Sequence, residues 1–273
     1  MKKTLLATAI AALTFAPAAY AENYQMEGGM HYNYVDLDGP GSPSSDNFGL
    51  DFTYHLEEVS TFGHPLKEAG FLERSTNVGA SYNNWSGDGT KGNIFSLNGE
   101  AFIEDFYLSA NVDINSWNSS FGKSTYGKSS TTDFGIKAGF LPTDGLLLTL
   151  GYDLEEKSTV KNGKLKDLGT ISLGGKFVTP LEGEMALNLE GEIGFQDDKN
   201  DTVIYTLGGD FYFDRAISAG LWVSDSDASG AKTEAGVRGN FFITPLVSLN
   251  AHYTHNYGYS KNKAFGLGAK LRF

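Results

Sequence analysis

Apolar and polar residues alternate along this chain almost from end to end. The last ten residues, AFGLGAKLRF, show the pattern: Phe265, Leu267, Ala269, Leu271 and Phe273 share one parity, Gly266, Gly268, Lys270 and Arg272 the other. Successive side chains of an extended strand point to opposite faces, so such a segment has one oily face and one hydrophilic face. The same parity sets Met185, Leu187, Leu189, Ile193 and Phe195 against Glu184, Asn188, Glu190 and Glu192. It sets Phe106, Leu108, Ala110, Val112 and Ile114 against Ser109, Asn111, Asp113 and Asn115. Fourteen strand-like segments follow, at 23–38, 47–57, 75–86, 93–104, 106–117, 129–141, 146–156, 166–179, 184–197, 201–213, 216–225, 231–243, 246–257 and 262–273. A soluble sandwich also alternates, with its apolar side inward. A final strand with a free terminal aromatic would be a hazardous edge in an open sheet, but an ordinary stave in a closed barrel standing in lipid.

The connectors separate these two readings. One set is tight: Glu104-Asp105, 142–145, 180–183, Asp214-Arg215 and Thr244-Pro245. The other set is longer and polar, near 39–45, 86–92, 119–129, 157–164 and 225–230. With one exception the two sets alternate, as in outer-membrane barrels with short periplasmic turns and longer external loops. Phe106, Phe140, Phe177, Phe213, Phe241 and Phe273 fall near the tight-turn side, and Tyr82, Tyr152, Tyr205, Tyr253 and Tyr257 near the other. These two sets predict interfacial girdles. The expected fold is therefore an all-β, transmembrane, antiparallel up-and-down barrel of about 14 strands.

The N-terminus fits an exported chain. Lys2 and Lys3 precede an apolar run that ends in Ala19-Tyr20-Ala21, the pattern of a secretory signal peptide over residues 1–21. The barrel is expected over 22–273. Without residues 1–21, 19 basic residues face 33 acidic ones, which disfavours nucleic acid as a partner. The chain has no cysteine, so hydrogen bonds and burial must hold it.

A wide barrel encloses more room than side chains fill. The inward parity carries the acids Glu27, Asp51, Glu100, Asp113, Asp153, Glu184, Glu190, Glu192, Asp210 and Glu234. It carries the bases Lys137, Lys176, Lys232, Arg238, Lys270 and Arg272. The acid excess predicts a preference for cations. The alternative is that these charges pair across the wall and fill a plugged interior. The exceptional connector is 57–75, long where a tight turn suffices. A short helix around Pro65–Leu72 is expected there, and Pro65, Leu66, Glu68, Phe71 and Arg74 are the candidate gate. The alternative is a solvated periplasmic tab.

The same stretch carries a resemblance. Tyr54-x-Leu56-x-x-Val59, Pro65-Leu66-x-Glu68-Ala69-x-Phe71-Leu72 and Asn77-Val78 resemble the porin family of Acinetobacter and related gammaproteobacteria. The resemblance spans roughly 25 residues. It implies a small monomeric fourteen-stranded outer-membrane channel with restricted passive permeability. The closing strand ending in Phe273 also resembles the C-terminal signal read by the barrel assembly machinery. The expected surroundings are outer-membrane lipid and lipopolysaccharide, and the expected cargo is small hydrophilic solutes.

Two rival functions remain in view. A barrel hydrolase needs a nucleophile, a base and an orienting group. His252 and His255 of HYTHNYG lie near hydroxyls, but no carboxylate and histidine set is evident. An adhesin or structural barrel is the second rival, because the connectors are rich in Ser, Thr and Gly. Asp225 and Asp227, or Asp197, Asp198 and Asp201, match no complete calcium site, and no metal or cofactor is expected.

Overall fold

In the computed structural model, the described residues are 23–36, 44–87, 90–121, 124–156, 167–197, 201–228, 233–257 and 262–273; side chains are described outside 119–128. The N-terminal segment 1–21 and Lys232 therefore lie outside them. The strands are β1 (Asn23–Asp36), β2 (Ser45–Ser60), β3 (Asn77–Gly87), β4 (Thr90–Ile103), β5 (Phe106–Phe121), β6 (Ser124–Thr143) and β7 (Leu146–Glu155). They continue as β8 (Leu168–Pro180), β9 (Ala186–Gln196), β10 (Thr202–Tyr212), β11 (Ile217–Ser226), β12 (Glu234–Thr244), β13 (Val247–Asn256) and β14 (Lys263–Arg272). Each pairs antiparallel with its chain neighbours, and β14 closes on β1 through Glu27↔Arg272 to Asp36↔Lys263. Closure leaves no free edge, which answers the hazard posed by a terminal alternating strand.

The alternation takes the inverted sense. Leu207, Leu221 and Ile136 on the outer parity are 60% exposed or more, while Asn188, Asp210 and Ser172 on the inner parity are nearly fully buried. A soluble protein with that distribution would put a broad apolar surface in water. In hydrocarbon the outer rows are solvated and every backbone group is already paired within the wall. Outward aromatics such as Phe106, Phe140, Tyr152 and Tyr205 stand exposed near the strand ends, as the girdle expectation requires.

Two differences from the sequence reading concern connectors. The segment near 119–129 is not a long loop: Ser119 pairs with Gly127, and Phe121 with Ser124, so β5 and β6 extend through it. Likewise Gly87 pairs with Thr90, which reduces 86–92 to a hairpin. Polar Ser, Thr and Gly residues satisfy a ladder as readily as apolar ones, so hydrophilicity alone misplaced these strand ends. A third difference concerns Glu184, which sits in the exposed β8–β9 turn rather than on the inner face of β9.

The exceptional connector is residues 61–76. It forms a 3-10 turn at Leu66–Glu68 followed by the single helical turn α1 (Ala69–Leu72), with Pro65 at the N-cap. Pro65 fits there because its missing N–H is not needed at a helix start. A bulge prepares its seat. Tyr24 pairs with Val59, but Met26 pairs with Tyr54, so the parity of β1 flips across Gln25. Tyr24 thereby turns inward and packs with Val59 and Ala69 in a small buried cluster.

Candidate functional site: the bore and the insert across it

Inside the barrel the insert lies across the tight-turn end, and its Lys67 and Glu68 side chains reach the wall. Lys67 donates to Asp210 of β10 at 2.9 Å. Glu68 accepts from Lys176 of β8 at 2.6 Å and from the Tyr212 hydroxyl of β10 at 2.5 Å. Backbone joins in: Leu66 N–H donates to the Arg215 carbonyl, and Leu66 C=O accepts from Arg272 of β14, both at 2.8 Å. Arg215 donates to the carbonyls of Thr61 and His64. On the far side Arg74 donates to Asp105 at 2.9 Å and Asp144 at 3.0 Å, in the β4–β5 and β6–β7 turns. Phe71 packs against the Tyr107, Leu141 and Leu147 cluster, with the Lys176 ammonium 4.7 Å from its ring centroid. Pro65, Leu66, Glu68, Phe71 and Arg74 are thus brought together on one body that bridges opposite walls.

Glu68 is the electrostatic centre of that body. Burial pushes its carboxyl up, but Lys176, the Tyr212 hydroxyl and Lys67 outweigh burial and hold it below the usual carboxylate range. His55 lies behind it on β2, its Nδ1 2.8 Å from the Ser75 hydroxyl at the end of the insert.

Outward from the insert runs a cavity of about 1080 Å³. Glu27, Glu100, Lys176, Asp210, Glu234, Arg238, Lys270 and Arg272 of the predicted lining border it. The remaining described ones, apart from Glu184, share the inner parity. Lys137 pairs with Glu192 across two strands, Arg238 meets Glu190 at 2.5 Å, and Lys270 stands 3.7 Å from Asp51. Asp113 and Asp153 face inward on β5 and β7.

Cations and anions differ in their company. Lys67, Lys137, Lys176, Arg238, Lys270 and Arg272 each sit on a carboxylate. Among the described residues, Asp113, Asp133, Asp153, Glu155 and Glu234 have no lysine or arginine within ion-pair distance. Asp113, Asp133 and Glu155 stand directly opposite one another across β5, β6 and β7. Like charges in that register cost stability. The bore therefore presents net negative charge on the β5–β7 wall. Sequence reading missed Lys67, Asp133 and Glu155, although the inner parity of Asp133 and Glu155 was there to find them.

Interior side chains lie flat because glycines make room. A Cβ on Gly49 would collide with His31 and Asn83, and one on Gly266 with His252 and Asn33. His31 and His252 thus fold over a glycine on the next strand.

A closed lipid-facing barrel with a hydrated, charged bore is an outer-membrane channel. The family described as "Putative general bacterial porin" matches residues 1–273, and the chain belongs to it. Among solved structures it is similar to the Acinetobacter baumannii outer membrane protein Omp33, with 24% identity and a TM-score of 0.69, over 92% of this chain and 99% of that one. It is similar in fold to the CymD monoaromatic hydrocarbon channel, at 9% identity and a TM-score of 0.60, over 92% and 89% of the two chains. A Pseudomonas aeruginosa FadL homologue matches at 12% identity and a TM-score of 0.55, over 94% and 92%. Among curated proteins none matches the chain. The protein is a porin of the bacterial outer membrane and gives passive passage across it.

Proposed function

We propose that this porin passes small hydrophilic solutes with a preference for cations, through a bore whose periplasmic mouth is gated by residues 61–76. The observation that carries the preference is the pairing asymmetry: the described inward bases are neutralised, and the β5–β7 carboxylates are not. Rings of unneutralised charge set ion selectivity. The gate reading rests on the insert's attachments, in which ion pairs and hydrogen bonds to the wall join two separate apolar clusters, at Ala69 and at Phe71. The tight-turn end faces the periplasm, as in other barrels with short periplasmic turns. Export through residues 1–21, assembly through the Phe273 strand and a monomeric state complete the reading.

In this reading the channel is non-catalytic. His252 and His255 occupy opposite parities of β13, so one faces the bore and the other the lipid. The Ser75–His55 contact is buried, and the other imidazole nitrogen has no partner among the described residues. Among the described residues no orienting group stands on that nitrogen.

Planar-bilayer recording tests the proposal. Reversal potentials in a KCl gradient are expected to show cation preference, and deletion of 62–73 is expected to raise the single-channel conductance. An anion-preferring pore would sink the first claim, and an unchanged conductance the second.

A further inference from the structure

All three tryptophans of the chain, Trp85, Trp117 and Trp222, sit on the inner parity of their strands. In membrane barrels this residue belongs at the lipid interface. An indole in a watery bore needs another reason. Trp85 lies flat on the wall: a Cβ on Gly92 of β4 would stand 2.5 Å from its six-membered ring. Trp117 of β5 is directly opposite the same Gly92. Two indoles thus flank one glycine and share a recess of about 410 Å³ near the ends of β3–β7 away from the insert. Asp133, Glu155 and Glu156 border that recess. The Asp133 carboxylate accepts from Asn115 Nδ2 at 2.6 Å and from the Glu156 N–H at 3.1 Å, and neither partner is a cation.

We propose that this recess docks small organic cations, an ammonium or guanidinium carried on an apolar body, on their way through the bore. An aromatic face attracts a cation laid against it, and nearby carboxylates reinforce that attraction. Both features repel an anion. A bare metal ion wants several oxygens converging at short distance. Among the described residues no three acids or histidines gather closely enough to hold one. The apolar walls match a solute with a body, and the carboxylates match its charge. The inference rests on the channel reading only in that solutes must reach the recess.

The test uses the full chain folded in vesicles, with Trp222→Phe so that emission comes from Trp85 and Trp117. Benzylammonium is the probe, and benzyl alcohol and benzoate are its neutral and anionic counterparts. Saturable quenching by benzylammonium is expected, at a midpoint about tenfold below that of benzyl alcohol. Asp133→Asn is expected to bring the two midpoints together, and Trp85→Leu to abolish saturation while Trp117 still reports. Asp133→Asn is conservative, so the question stays answerable if the tryptophan variant does not fold. Equal midpoints for cation and alcohol in the unsubstituted recess overturn the proposal, as does quenching indifferent to Asp133→Asn. KCl conductance of the same vesicles reads the channel separately. A conducting preparation without saturable quenching overturns the site and leaves the channel standing.

Discussion

Glu68 shows how much one side chain decides. It is 3% exposed and joins the insert to two strands at once. Removing one partner of a buried ion pair costs about 3–5 kcal/mol, because the other charge is left uncompensated. Glu68→Gln is therefore expected to loosen the insert and raise the open fraction in single-channel traces. The pH sign follows from the depressed carboxyl. Its contribution is complete above the ordinary carboxylate range and disappears only as pH falls through the lowered value. Around it stand Lys176, the Tyr212 hydroxyl and Lys67, with His55 behind, and Lys67 shares Asp210 with Arg238. Conductance of the unsubstituted channel is expected to rise on strong acidification, and Glu68→Gln to flatten that rise. Glycines carry a second residue-scale prediction. Gly49→Val would press on His31 and Asn83, and overpacking of this kind costs about 1–3 kcal/mol. A lowered urea midpoint is the expected readout. Parity in the sequence told which residues face inward. It could not tell which acid meets which base, since Lys137 and Glu192 stand on β6 and β9 with two strands between them and their meeting depends on curvature.

The insert is the element whose behaviour the ion pairs distribute unequally. Arg74 reaches Asp105 and Asp144, but those carboxylates are 57% and 99% exposed. Exposed pairs contribute about 0–1 kcal/mol. Arg74→Ala is thus expected to change the open fraction far less than Glu68→Gln does in the same recording. The helical turn at 66–72 was legible from Pro65 and from the excess length of the connector. Its position inside the barrel was not, because nothing local says whether Leu66 and Ala69 find partners or remain on a periplasmic tab. The partner of Ala69 is Tyr24, 45 residues earlier and turned inward only by the bulge at Gln25. The hairpins at 86–92 and 119–129 failed to read as strands for the opposite reason. Their pairing is backbone pairing, continued by neighbours beyond the apolar band.

At the scale of the whole molecule, the unpaired carboxylates of β5–β7 make the bore's field asymmetric. Neutralising that row as Asp113→Asn, Asp133→Asn and Glu155→Gln together is expected to move the reversal potential toward the nonselective value. The fold should survive, since like charges in register are a cost rather than a support. The fourteen segments and their antiparallel order were written in a period of two and in where it breaks. Strand periodicity is a local property of the backbone, so a single sequence carries it whole. The neutralisation of the bases and the seating of the insert were decided only by tertiary structure. Each depends on residues distant in the chain arriving at one place, as Glu27 and Arg272 do from opposite ends. Alternation fixes a direction for every side chain, and only the curvature and register of a closed wall fix what it meets there.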